Sequence, residues 1–235
     1  MSRCELPLPR HPALGTESSQ ANAHCPTCGN IPLDSVTIYN KSLHRQTFNI
    51  SPILPTCNIC DANVTVTGNT NGIKILLLNG TCGSGKTTTA GEFVKNHGYL
   101  AIDLDCVLQV VEHKLGFKPQ YNADEIIAEI ALQVDILAAI GRKIVICAVV
   151  EPDDMQKYRN VFDSKNANYS IVLLKPRYEV AVKRTQTRTC FASITPEEWV
   201  RHFYDRLNFD DIYTLDNSDM TIVQAVAIIA QKVGD

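Results

Sequence analysis

The residues with the clearest chemical potential form a glycine-rich segment after an apolar run. Residues 80–87 read G-T-C-G-S-G-K-T, which matches G-x-x-x-x-G-K-[S/T] at every fixed position. In this motif the glycines let successive backbone N–H groups point at a phosphate, and the following helix adds its positive end. The lysine reaches the β- and γ-phosphates, and the next hydroxyl ligates Mg²⁺. The expected members of this nucleotide site are Gly80, Thr81, Cys82, Gly83, Ser84, Gly85, Lys86, Thr87 and Thr88.

Two carboxylates stand at the end of the next predicted strand of the chain, residues 99–104. Asp103 and Asp105 stand at the end of the segment Y-L-A-I-D-L-D. In a parallel sheet the carboxyl end of this strand lies at the same edge as the glycine-rich segment, so both acids can face a bound phosphate. One is suited to hold Mg²⁺ through water, and the other to accept a proton from a substrate hydroxyl. The alternative is a pair of acids in a solvated loop, where Asp is common.

Four of the nine cysteines form two C-x-x-C pairs near the start of the sequence. They are Cys25, Cys28, Cys57 and Cys60. In the first pair, Gly29 permits a backbone turn that aims N–H groups at the thiolates. Two such turns make a tetrahedral zinc site, and the pair resembles a zinc ribbon whose hairpin would contain residues 36–39 and 47–50. A closed site of this kind folds a segment rather than catalysing a reaction. Disulfides and redox-active thiols are the alternatives.

The elements that position these residues alternate between strand and helix after residue 72. The predicted strands are 73–79, 99–104, 143–149 and 169–174, and the predicted helices are 86–96, 122–140, 179–188, 196–207 and 221–233, with a further helix that starts at Pro152. Such alternation favours an α/β fold with a parallel sheet covered by helices on both faces. Asn122 is expected to cap its helix, with Glu125 three residues further on. Thr195 and Pro196 predict a second capped helix start.

Composition excludes several classes of protein. The 235 residues include 22 Lys and Arg against 25 Asp and Glu, a net charge of −3, whereas a sequence-independent grip on nucleic acid needs clustered basic residues. The longest apolar run, 144–150, is far shorter than the roughly 18 residues that span a membrane. Nine cysteines without a secretory signal suit a reducing, cytoplasmic location.

Four segments in order resemble the small P-loop kinases: N-G-T-C-G-S-G-K-T-T-T, Y-L-A-I-D-L-D, K-R-T-Q-T-R and L-D-N-S-D-M-T. This group includes shikimate and gluconate kinases, chloramphenicol phosphotransferase, zeta-toxin-like AAA-type ATPases and polynucleotide kinases. The resemblance implies a three-layer α/β/α fold and transfer of the γ-phosphate of ATP to a hydroxyl group of a small acceptor. By position, Asp105 resembles the substrate-binding carboxylate and base, and Asp103 resembles the residue near Mg²⁺.

The resemblance also implies an arginine-bearing lid and a loop beside the adenine. Arg184 and Arg188 are spaced to share one helix face, from which both reach the phosphates and neutralise charge during transfer. A solvated basic stripe is the alternative. The segment 216–219 resembles the adenine-side loop and is equally well explained as a cap of the last helix.

One departure from the P-loop pattern concerns the strand 143–149, which does not end in aspartate. The first acid after this strand is Glu151. Either Glu151 or Asp103 therefore supplies metal support, or Thr87 and the nucleotide hold the metal alone.

These patterns divide the chain into a flexible tail (1–22), a zinc-ribbon-like segment (23–68) and a P-loop kinase domain (73–235). The leading hypothesis is a kinase that uses ATP and Mg²⁺ and carries structural Zn²⁺. The alternatives are a nucleotide-gated adaptor that recruits a protein through its ribbon, and a nucleic-acid 5′-hydroxyl kinase. Nucleic acid is the less favoured partner, because the first 72 residues contain as many acidic as basic side chains.

Overall fold

The computed structural model describes residues 70–120, 122–139, 141, 143–187 and 195–235 in full, together with Thr27 and the backbone of five earlier strands. The earlier strands are β1 (Asn22–Cys25), β2 (Gly29–Ile31), β3 (Val36–Asn40), β4 (Ile53–Cys57) and β5 (Thr65–Thr67). The later strands are β6 (Lys74–Asn79), β7 (Leu100–Asp103), β8 (Lys143–Ala148), β9 (Asn168–Leu174) and β10 (Tyr213–Leu215). The helices are α1 (Lys86–His97), α2 (Leu104–Leu115), α3 (Asp124–Ala138), α4 (Pro152–Ser164), α5 (Tyr178–Gln186), α6 (Glu197–Arg206) and α7 (Ile222–Val233).

A five-stranded sheet organises the chain from residue 70, with the strand order β10-β9-β6-β8-β7. Its pairings are all parallel. The inner strands β6 and β8 are buried and are almost continuous apolar runs, because helices cover both faces of the sheet. Phe93 of α1 and Ile229 of α7 pack on one face, and Ile126 of α3 and Tyr158 of α4 pack on the other. The predicted α/β/α architecture is confirmed.

A buried asparagine fastens the end of β6 to the end of β8. The side-chain amide of Asn79 donates to the Val150 carbonyl at 2.8 Å. Its Oδ1 accepts from the backbone N–H groups of Gly80 at 2.8 Å and Val150 at 2.9 Å. Since buried polar groups are costly unless they are paired, this complete set of bonds holds the start of the glycine-rich segment against the neighbouring strand.

The helix α2 and the strand β10 are absent from the sequence-based prediction. The predicted strand 99–104 is too long, because Asp103 accepts a hydrogen bond from the Asp105 N–H and caps a helix that begins at Leu104. The strand β10 has only three residues, too few to show a period of alternation.

Two predicted helix caps are wrong. Asn122 has a φ of 58°, and its Oδ1 accepts a hydrogen bond from the buried Tyr158 hydroxyl at 2.9 Å. Ala123 is the cap residue of α3 instead, without a side-chain bond. Similarly, α6 begins at Glu197, and its cap residue is Pro196 rather than Thr195.

The strands before residue 68 form two small antiparallel groups, β2-β1-β5 and β3-β4. The strand β3 pairs with β4. The predicted hairpin residues 47–50 lie outside the described residues. Of the predicted zinc ligands, Cys28 and Cys60 also lie outside them, and Cys25 and Cys57 are described by backbone alone. The zinc site and the tail at 1–22 therefore stay predictions.

None of the helices described in the structure has the length and apolar character that a membrane span requires.

Candidate active site

The glycine-rich segment forms a tight loop between β6 and α1 that has no space for side chains at two positions. Gly80 and Gly83 have φ values of 150° and 79°. A Cβ on Gly80 would lie 2.5 Å from the Leu174 carbonyl oxygen, and a Cβ on Gly83 would collide with the Ala181 carbonyl. Only glycine satisfies both requirements. These two glycines therefore let the loop pack closely against the end of β9 and against α5.

The start of α1 fits a phosphate group. Gly85, its cap residue, has a left-handed backbone and offers no side-chain hydrogen bond to the first turn. A helix N-terminus whose first N–H groups have no side-chain partner attracts anions. Beside them, the Ser84 hydroxyl is buried without a hydrogen-bond partner among the residues that the structure describes. An unpaired polar atom in a cradle of N–H groups is consistent with a phosphate ligand.

Lys86 lies folded over this loop. Its ammonium group donates to the carbonyl oxygens of Gly80 at 2.6 Å and Thr81 at 3.0 Å. A bound phosphate would offer stronger, charged acceptors at the same place. Lys86 is thus positioned to exchange two carbonyl groups for phosphate oxygens.

The loop contacts the acidic pair through Thr87. The Thr87 hydroxyl donates to Oδ2 of Asp103 at 3.2 Å, and Oδ1 of Asp103 accepts from the backbone of Asp105 at 2.9 Å. Burial and the charge of Asp105 raise the pKa of Asp103 to about 6, although Lys86 and the hydrogen bonds act in the opposite direction. A carboxylate with this surplus of negative charge, next to a hydroxyl, is suited to a divalent cation.

Glu151 is engaged elsewhere. It follows β8 at the same edge of the sheet, where its Oε2 accepts from Nε of Arg206 at 2.7 Å and its Oε1 lies 3.5 Å from Nε2 of His202. Of the two acids considered for metal support, Asp103 is therefore the one in contact with Thr87. Arg206 and His202 were not predicted from the sequence as site residues, although their spacing of four residues on one helix indicates that they share a face.

The loop at 216–219 is fastened to α5 and to the glycine-rich segment 80–87, here called the phosphate cradle. The Asn217 amide donates to the Ser84 carbonyl at 2.9 Å, and Arg184 donates to the Asn217 carbonyl at 2.9 Å. Arg177 pairs with Asp219 through two hydrogen bonds of 2.8 Å. The loop does not cap α7, whose cap is Thr221 in a capping box with Gln224; that alternative is wrong.

Asn217 was predicted only as a member of the segment 216–219, and Arg177 was not predicted, because their contacts join segments distant in the chain. Of the two arginines proposed for the lid, Arg184 holds the loop at 216–219 and Arg188 lies outside the described residues. Their role during phosphate transfer stays a prediction.

Comparison with solved structures finds proteins of similar fold. A gluconokinase from Sinorhizobium meliloti is similar with a TM-score of 0.52 and 17% identity, over 70% of this chain and 93% of that one. A sugar kinase from a Janibacter species gives 0.50 and 20%, over 68% and 93% of the two chains. The tunicamycin resistance protein of Deinococcus radiodurans gives 0.51 and 17%, over 69% and 96%. At these identities the likeness shows a shared fold.

No curated protein sequence matches the chain at a significant level. The family model described as an AAA domain (AAA_33) matches residues 75–207, which include the phosphate cradle, the acidic pair and Glu151. The sheet order, the loop after β6 and this match lead to one conclusion: the chain belongs to the AAA domain family and has the fold of the P-loop kinases.

Proposed function

We propose that the chain is a phosphotransferase that moves the γ-phosphate of ATP to a hydroxyl group of a small acceptor. The observation that carries the proposal is the 3.2 Å contact between Thr87 and Asp103. This contact joins the phosphate cradle to the acidic pair, so that metal, phosphate and acceptor groups would meet at one edge of the sheet.

The cradle binds the phosphates, and Lys86 moves from its two carbonyl partners to the β- and γ-phosphates. Thr87 and Asp103 would hold Mg²⁺, which would neutralise the charge on the phosphoryl group that ATP supplies. Asn217 and Arg184 keep the loop at 216–219 against the cradle, on the adenine side. Arg184 and Arg188 remain the proposed cations of the lid.

Asp105 is the proposed base. It is exposed in the first turn of α2, two residues from Asp103. As the acceptor oxygen bonds to the γ-phosphorus and the bond to ADP breaks, the hydroxyl proton passes to the Asp105 carboxylate.

The direct test measures ADP release from ATP in the presence of a panel of hydroxylated metabolites, nucleosides and antibiotics. Lys86→Ala is expected to lower acceptor-stimulated turnover about 100-fold or more, because the charge on the transferred group loses its partner. Lys95→Ala, an exposed lysine of the same helix, is the control and should leave turnover unchanged. Full turnover by Lys86→Ala would overturn the proposal.

The variant Asp105→Asn separates a kinase from a nucleotide-gated adaptor. A kinase loses turnover and keeps its affinity for ATP, since the base contacts the acceptor rather than the nucleotide. An adaptor keeps its partner binding and is indifferent to the change. ATP affinity by calorimetry and turnover by ADP release, measured on the same preparation, give the answer.

We also propose that residues 23–68 form a zinc-binding unit, with Cys25, Cys28, Cys57 and Cys60 as ligands. In support, the chain reverses between Cys25 and Gly29, which are paired across β1 and β2, and the second pair begins where β4 ends. Such turns present two sulfurs to one metal. We expect one zinc per chain by elemental analysis and its loss in Cys57→Ser, whereas Cys106→Ser keeps it. A metal-free wild type would contradict this.

A further inference from the structure

The single tryptophan of the sequence lies exposed on α6. Trp199 has 54% of its surface accessible, although indole is among the side chains that gain most from burial. Its neighbour Phe203 is buried, with a ring centroid 6.1 Å away. One part of the indole therefore rests on the core, and the rest is open to a ligand.

One flank of α6 is occupied by α5. The Tyr178 hydroxyl donates to Glu197 at 2.9 Å, and the Arg201 guanidinium lies over the Tyr178 ring at 4.3 Å from its centroid. Tyr204 packs against the same ring. This flank is consequently part of the fold's own packing.

The other flank carries Trp199, His202 and Arg206. Their spacing of three and seven residues places them on one face of the helix. Glu151, which follows β8, contacts both His202 and Arg206. These contacts show that this face of α6 lies against the end of β8. The flank thus faces the β8 side of the sheet and not α5.

This position lies beside the proposed reaction centre. On the cradle side, the Thr81 hydroxyl donates to the Val200 carbonyl of α6 at 3.2 Å. On the other side, β8 pairs with β7, which ends at Asp103. An acceptor resting on the Trp199 flank would therefore lie near the cradle and toward the acidic pair.

The ion pair between Glu151 and Arg206 leaves this flank with little uncompensated positive charge. Glu151 is largely buried, with 16% of its side chain exposed, and is paired with Arg206, which is half exposed. The guanidinium has five N–H donors, of which the Nη1 pair is not used on Glu151. His202 adds a half-exposed ring nitrogen. An indole face beside hydrogen-bonding groups of low net charge suits a neutral, planar, polar ring better than a polyanion.

We propose that Trp199 is a stacking platform for the acceptor, and that the acceptor is a nucleoside or a similarly hydroxylated heteroaromatic compound whose edge is bound by Arg206 and His202. This rests on the proposed phosphotransferase function. Stacking of a base on an aromatic side chain needs no particular base, because every base has a π face. Arg206 is a binding residue that Glu151 holds in place.

The experiment uses the full chain, in which Trp199 alone provides tryptophan fluorescence. A non-hydrolysable ATP analogue with Mg²⁺ is kept saturating, so that an added nucleoside cannot occupy the donor site. Adenosine, guanosine, cytidine and uridine are then titrated, with sorbitol as the aliphatic polyol. We expect saturable quenching or a spectral shift with at least one nucleoside and none with sorbitol.

Variants test the contact kinetically. Trp199→Leu should raise the KM for the nucleoside about tenfold or more and leave the KM for ATP unchanged, and Trp199→Phe should largely restore it. Phe117→Leu, a change at another exposed aromatic (62% exposed), is the control. An unchanged nucleoside KM in Trp199→Leu would overturn the proposal.

The two proposals fail in different ways. Nucleoside-dependent quenching without phosphate transfer to any acceptor supports the stacking site and rejects the phosphotransferase. Transfer to aliphatic polyols, without quenching by any nucleoside, supports the phosphotransferase and overturns the stacking site. The absence of both quenching and transfer overturns both.

Discussion

The parallel strands all end at one side of the sheet, the carboxyl edge, and all begin at the opposite side, the amino edge. Each of these edges holds a carboxylate, and the two carboxylates are in opposite electrostatic settings. At the carboxyl edge, burial and Asp105 raise the pKa of Asp103 to about 6. At the amino edge, the Asp235 side chain is 2% exposed and lies among Lys143, Lys74 and His97 at 2.6, 3.1 and 3.3 Å. Burial alone would raise the pKa of Asp235, but the lysine hydrogen bonds and charges outweigh it and lower the pKa.

This difference is the one we expect between a structural site and the proposed reaction site. Asp235 closes the amino edge, since the lysines that bind it stand at the first positions of β6 and β8. The positive charge around Asp103 does not compensate its ionised carboxylate. A divalent cation bound there would supply the missing charge. We therefore expect the charge of Asp103 to lower the stability of the ligand-free fold and the charge of Asp235 to raise it.

The largest expected effect follows from removing the charge of Asp103. Asp103→Asn should lower turnover about 100-fold, because metal support is lost, and should raise the melting temperature of the ligand-free protein, because a buried, poorly compensated charge is gone. Turnover assays and thermal melts with and without Mg²⁺ and ATP check both. Lower stability of the ligand-free variant together with intact turnover would show that Asp103 has a structural role and does not support the metal.

The amino edge is expected to respond in stability alone. Asp235→Asn leaves Lys74 and Lys143 without their shared carboxylate and should lower the free energy of unfolding by about 2–3 kcal/mol. The KM for ATP should not change. Chemical denaturation measures the loss, with Asp163→Asn, at an exposed position on α4, as the control. Equal stability of the two variants would contradict the role given to Asp235.

The pH dependence of stability should have opposite signs at the two edges. Asp103, with its pKa raised from 3.8 to about 6, contributes stability that is present below pH 3.8 and is lost as pH rises through 6, an effect of about 1–2 kcal/mol after discounting for partial exposure. Asp235, with a lowered pKa, contributes stability above its unfolded value that is lost as pH falls through its folded value.

Denaturation of the wild type and Asp103→Asn between pH 4 and pH 7 tests this sign. The stability advantage of Asp103→Asn should grow as the pH rises. An advantage that stays constant across this range would show that Asp103 is compensated as well as Asp235 is.

The smallest expected effect concerns the attachment of the loop at 216–219. Asn217→Ala removes the bond to the Ser84 carbonyl, worth about 1 kcal/mol, and should raise the KM for ATP about fivefold with little change in kcat. Arg177→Ala, which breaks an exposed ion pair with Asp219 on the same loop, is the control and should change little. Equal effects of both variants would argue against a specific role of Asn217.

Much of the carboxyl edge was predictable from the sequence. The glycines and lysine at 80–86 form a local motif whose backbone demands are met within a few residues, and the apolar runs that become β6 and β8 are continuous because the strands are buried on both faces. Asp103 and Asp105 were predictable as a pair beside the glycine-rich segment, because parallel strands bring their carboxyl ends together. The start of α2 at Leu104 was not, because a short apolar run does not distinguish a strand end from a capped helix start.

The sequence by itself determined the phosphate cradle, the parallel sheet and the presence of acids beside the cradle, since each depends on local backbone chemistry or on the period of apolar residues. Only the tertiary structure decided which acid meets Thr87, that Glu151 pairs with Arg206 across 55 positions, and that Asp235 closes the amino edge. Those outcomes depend on side chains from distant segments, whose partners and pKa values are set by packing and burial.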